Sequence, residues 1–180
     1  MKSDSIRIAN CSGFYGDKLS VARDMIEGGP IDVLTGDYLA ELTMTILYNQ
    51  RLKRGEQHGY VGTFLKQFRD IAKLAQEKNI KIVTNAGGLN PSSMAESVKE
   101  IIDELNLDLK VAHIEGDDLM PRIDELYQGG ENLTNIDKSL DLQKYEKKPI
   151  TANAYLGAWG IKEALDNGAD VVICPRVTDA

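Results

Sequence analysis

With two cysteines, two histidines and one tryptophan among 180 residues, this chain has few of the side chains that staple small secreted domains or ligate transition metals. Cys11 and Cys174 each lie in an apolar run that reads as a strand, and neither has a CxxC neighbour, so both read as reduced, buried thiols. His58 and His113 stand 55 positions apart, which gives no zinc-ligand spacing. His58 lies in a polar stretch and reads as solvated, whereas His113 lies in an apolar strand and reads as a core histidine. Basic charge is also short. The 21 Lys and Arg against 28 Asp and Glu give a net charge of −7 and a pI near 4.9, which excludes nucleic acid as a default partner. No apolar run approaches the roughly 18 residues of a membrane span, and Met1-Lys2-Ser3-Asp4-Ser5 lacks the apolar stretch of a signal peptide. The expectation is a cytoplasmic protein with no membrane partner. The first β-loop-α unit has no GxGxxG, which disfavours a Rossmann-type dehydrogenase, and no motif names a cofactor or a metal.

What is present fits a globular domain: 42% of residues are hydrophobic and 27% charged, and one domain over residues 1–180 is the expectation. Short apolar runs at Ile6–Cys11, Ile31–Asp37, Lys81–Asn85, Lys110–Gly116 and Ala169–Arg176 read as strands. Helical periodicity follows in Tyr38–Tyr48, in Val61–Lys78 and again after Pro91, with further helices expected through Met25, over Asp117–Tyr127 and over Leu156–Asn167. Asn49 to Gly59 is polar and basic and reads as an exposed excursion, suited to a lid or to a contact in a homo-oligomer. Residues 129–150 carry no clean period and read as an insertion or a small hairpin. Trp159, at helical spacing from Leu156, reads as core.

Alternating strands and helices predict an α/β fold with a mainly parallel sheet and helices on both faces, the doubly wound, Rossmann-like class. The chain ends just after an apolar strand, so the domain is expected to be incomplete at its C-terminus. In such sheets ligands bind beyond the carboxyl ends of the strands. That rule gathers Ser12 to Asp17, Gly36-Asp37, Asn85 to Asn90, Glu115 to Asp118 and Arg176 to Asp179 at one edge. Asp17, Asp37 and Glu115 are the candidate acid/base groups, against the competing reading that Asp17 and Asp37 cap helices. Asn85, Gly87, Gly88 and Asn90 form a glycine loop before a helix, a place where backbone amides can meet a phosphate or carboxylate. Asn153, Tyr155, Arg176 and Asp179 add donors, acceptors and charge as candidate substrate-binding groups, Arg176 suiting an anionic ligand, against the competing reading of an Arg176–Asp179 surface pair. Glu115, Asp117 and Asp118 lack EF-hand spacing, so helix capping is their better reading.

Taken in order, Gly13-Phe14-Tyr15-Gly16-Asp17, the run from Asp32 to Glu41, Thr84 to Pro91, Ala152 to Gly157 and Gly168 to Asp179 resemble the acyclic terpene utilisation (AtuA-like) family over almost the whole chain. The resemblance implies the N-terminal part of a longer protein. It also implies a role in bacterial breakdown of acyclic terpenes such as citronellol and geraniol, a route that runs through acyl-CoA intermediates. On that basis the chain is expected to be an enzyme or catalytic subunit acting on a carboxylate or acyl-CoA. The alternative is a non-catalytic ligand-binding or assembly module that supports a partner enzyme.

Overall fold

The computed structural model describes residues 5–146 and 148–178. Among them, β1 (Ile8–Asn10), β2 (Val33–Gly36), β3 (Lys81–Thr84), β4 (Val111–His113) and β5 (Val171–Ile173) form one sheet in the order β1-β2-β3-β5-β4. Every pairing is parallel, as the alternation of strand and helix predicts. The helices are α1 (Val21–Gly28), α2 (Glu41–Arg54), α3 (Gly62–Lys78), α4 (Pro91–Glu104), α5 (Ile123–Gln128) and α6 (Trp159–Asp166).

Strand side chains alternate between the two faces, and this sorts the core. Leu34, Ile82, Val171 and Ile173 pack with Ile26 of α1, Phe64, Phe68 and Ile71 of α3, and Met94 and Val98 of α4. Each buried Phe or Ile here contributes about 1.5–3 kcal/mol relative to exposure. Val172 and Val83 face the other way, against Ile161, Ala164 and Leu165 of α6. A right-handed crossover explains the split, because the chain advances through β1, β2 and β3 and then returns from β4 to β5. Asn90 starts α4 by accepting the Ser93 amide at 3.0 Å, with Pro91 in the first turn, and Asn79 ends α3 in the left-handed region at φ 54°.

Several sequence expectations shift. The α2 helix runs on to Arg54 through residues expected to form an excursion, because Gln, Leu, Lys and Arg are good helix formers; it stops at Gly55, φ 107°. The stretch Asp117–Tyr127 is divided into a 3-10 turn at Met120–Arg122 and α5, consistent with the missing amide of Pro121. His113 is exposed, since β4 is an edge strand, and Trp159 is 82% exposed, since α6 presents Ile161, Ala164 and Leu165 to the sheet. Within the polar stretch a small hairpin forms, bridged at Thr134 and Asp141. No helix among the described residues is long and apolar enough to cross a membrane.

Candidate functional site

At the carboxyl edge of the sheet, α2 lies across the strand exits as a roof. Gln50 donates to the Tyr15 hydroxyl at 2.9 Å in the loop after β1. The turn beyond α2 is bound to the loop after β3: Leu89 donates its amide to the Gly59 carbonyl at 2.8 Å, Val61 to Ala86 at 2.8 Å, and the Asn90 side chain to the Glu56 carbonyl at 2.9 Å.

Under this roof the glycine loop is fully occupied by its own neighbours. The Gly87 amide donates to Cys174, Gly88 to Asn85 and Asn90 to Gly87, at 3.1, 3.2 and 2.9 Å. A β-carbon on Gly87 would sit 2.6 Å from the Cys174 carbonyl, so glycine is required there by close packing. Asn85 clamps the exit of β2: it donates to Asp37 at 2.5 Å and accepts the Tyr38 amide at 2.8 Å. Asp17 closes its own loop by accepting the Gly13 amide at 2.6 Å and the Phe14 amide at 3.3 Å.

Open space remains where α2 begins. A cleft of about 260 Å³ is lined by Glu41 and Thr45 of α2, by Asn153 and Tyr155 before α6, and by Arg176 after β5. Arg176 is 5% exposed, its guanidinium carbon 4.3 Å from the centre of the Tyr155 ring. One nitrogen, Nη2, donates to the Tyr155 hydroxyl and, at 3.4 Å, to Glu41 Oε1. The Tyr155 hydroxyl donates to that same oxygen at 2.7 Å. Both side-chain bonds of Arg176 run through this one nitrogen, so Tyr155 and Arg176 meet at the Glu41 carboxylate. The bond from Tyr155, with help from the local backbone and the Arg176 charge, holds the Glu41 carboxyl below the usual carboxylate value. The same bond is the leading cause that raises Tyr155, so the phenol stays an O–H donor at neutral pH.

Behind Asn153 lies a group that the motif reading passed over as a helix cap. Asp117 is 5% exposed and accepts the Asn153 side-chain amide at 2.8 Å. Burial pushes its carboxyl up, against the opposing pull of that bond and of nearby backbone amides. The neighbouring chain stitches the exits of β4 and β5 together: Ala154 donates its amide to the Asp117 carbonyl at 2.7 Å, and Leu156 donates to Arg176 at 3.2 Å.

Asn153, Tyr155 and Arg176 are therefore brought together, joined by Glu41 and Asp117, which sequence reasoning missed. The available signal for Glu41 was its place in the first turn after a glycine-ended strand. Asp37 and Asn85 line a second groove of about 450 Å³, with Val83, Ile161, Cys174 and Val177 as its apolar wall. The segments 37–41 and 174–178 border both spaces. Glu115 is exposed and faces His113 at 3.4 Å, and it lines neither space. Asp179 lies outside the described residues. No group of three or more His, Cys, Asp or Glu among the described residues could hold a metal ion.

No curated protein and no solved structure matches the chain. The family model described as acyclic terpene utilisation family protein AtuA matches residues 6–180, and the chain belongs to that family.

Proposed function

We propose that this chain holds the carboxylate of a branched acid, or the thioester carbonyl of its acyl-CoA, within an enzyme of acyclic terpene or branched-acid breakdown. The observation that carries the reading is the convergence of Arg176 and Tyr155 on one oxygen. Glu41 Oε1 marks a point 2.7 Å from the Tyr155 hydroxyl and 3.4 Å from Arg176 Nη2. Two fixed donors at one oxygen position stabilise a carboxylate, and equally the negative charge that develops on a thioester carbonyl during reaction. Arg176 stacks on Tyr155, so the ring fixes the guanidinium plane. The apolar wall of the second groove suits the hydrocarbon part of the ligand, with Asp37, held by Asn85, as the acid/base candidate there. The glycine loop supports this arrangement by packing, its amides being already used.

Calorimetric titration with a branched short-chain carboxylate and with its CoA thioester tests the reading. Wild-type protein binds, Tyr155→Phe binds more weakly, and Arg176→Ala loses binding by tenfold or more, on the order of a charge-assisted pair. Unchanged binding by Arg176→Ala would refute it. A second reading, an assembly module for a partner enzyme, is favoured by the apolar residues near the cleft, Leu42 at 71% exposure and Trp159 at 82%.

A further inference from the structure

We infer that Glu41 is a built-in competitor for the anion site: its carboxylate occupies the position that a ligand carboxylate takes, and it must swing away for the ligand to bind. This rests on the reading above. A protein carboxylate already accepts from both donors, Tyr155 at 2.7 Å and Arg176 at 3.4 Å, so the site is satisfied in the unliganded chain by an internal mimic. Arg176 and the mimic differ sharply in freedom. The Arg176 side chain is 7% exposed, whereas that of Glu41 is 83% exposed. Displacement therefore moves the group that water can resolvate and leaves buried Arg176 in place. Glu41 is also the first residue of α2, where unpaired helix amides favour a negative charge, so the released carboxylate stays in a favourable field.

The consequence is selectivity by strength of interaction. A neutral carbonyl, such as that of a thioester, competes with Glu41 less well than a carboxylate does, and a carboxylate ligand binds with an affinity reduced by the fraction of molecules in the closed arrangement. An exposed pair of this kind corresponds to a penalty of about two- to fivefold in affinity.

The experiment titrates the same branched carboxylate into wild type, Glu41→Ala, Glu41→Asp and Arg176→Ala. Glu41→Ala removes the competitor, and Glu41→Asp keeps the charge on a side chain one methylene shorter. The expected result is two- to fivefold tighter binding by both Glu41 variants, together with loss of binding in Arg176→Ala. Binding by Glu41→Ala no tighter than wild type, with Arg176→Ala still inactive, overturns the competitor and leaves the anion site standing. Tightening in Glu41→Ala alone, with Glu41→Asp like wild type, also overturns it, because a general field and not the contact would then be responsible. Binding unaffected by Arg176→Ala, or absent from every variant, overturns the anion site and the competitor together.

Discussion

Replacing Gly88 with alanine separates a steric role for the glycine loop from a ligand-binding one. Gly88 has φ 54°, and an added β-carbon would collide with Leu47 Cδ1 and stand 2.8 Å from the Gly59 carbonyl oxygen. Leu47 is fully buried in the underside of α2, and Gly59 belongs to the turn bonded to Leu89, so neither neighbour has room to withdraw. The left-handed backbone costs about 1–2 kcal/mol for a residue with a β-carbon. Overpacking adds about 1–3 kcal/mol, so a total loss of about 2–5 kcal/mol is expected. Gly130 provides the control: its φ is 84°, and a β-carbon there meets nothing within 4 Å, so Gly130→Ala carries the backbone cost alone. Urea unfolding of both variants, read by circular dichroism with a common slope, gives the comparison. Equal losses for the two variants would show that the roof does not press on the loop, and the packing account of Gly88 would fail.

Asn85→Ala removes both bonds that clamp Asp37 and Tyr38, and urea unfolding should show a loss of about 1–3 kcal/mol; a loss below the error of the fit would refute the clamp. Cys174 is 1% exposed and its thiol is pushed up to about 12 by burial, so both it and buried Cys11 should react with a thiol reagent no faster than the protein opens, and rapid labelling of the native chain would contradict the packing. Asp117→Asn keeps an oxygen to accept from Asn153 and removes the buried charge. Because the folded carboxyl is raised above its unfolded value, the wild type loses stability as pH rises from the ordinary carboxylate range through the folded value. The stability advantage of Asp117→Asn should therefore grow with pH over that window and then level off; a difference that is flat with pH would refute the burial account.

The parallel sheet was legible because strand and helix leave different periods in a sequence. In α3 the apolar residues Phe64, Phe68, Ile71, Ala72 and Ala75 recur with helical spacing, and all are buried in the structure. The α2 helix was half legible for the opposite reason. It rests on loops at the sheet edge and buries little beyond Thr43, Met44 and Leu47, so its second half carries no apolar stripe to read. The site followed the same division. The strand-end rule reaches Arg176 and the stretch that holds Asp117, since it needs only chain order, and Asn153 and Tyr155 enter as polar groups ahead of the Trp159 helix. Asp117 and Asp118 look alike in sequence, yet the first is buried against Asn153 and the second is exposed and accepts the Met120 amide at 2.9 Å. Burial is a property of what comes back across the chain, and the segment that buries Asp117 lies 36 positions away.

That roof also changes what the strand-end rule implies. In an open sheet the loops beyond all strands share one crevice, but here the exits of β1 and β3 are bonded to α2 or to the turn that follows it, and the exit of β2 is clamped by Asn85. Open space is left beneath the first turn of α2 at the exit of β5, and in the larger groove where Asp37, Asn85 and Cys174 meet Ile161 of α6. The far end is held by backbone bonds between residues 59–61 and 86–89 and by Asn90; the near end is held by buried Tyr38, whose amide donates to Asn85 at 2.8 Å and whose hydroxyl donates to Gln67 at 2.5 Å, by buried Met44, and at its surface by the exposed carboxylate of Glu41 on Tyr155 and Arg176. Backbone bonds in a packed loop are costly to break, and an exposed ion pair is not. A ligand that competes for Arg176 therefore acts on the exposed contact alone, and the buried fastenings of α2 hold the roof in place while Glu41 gives way.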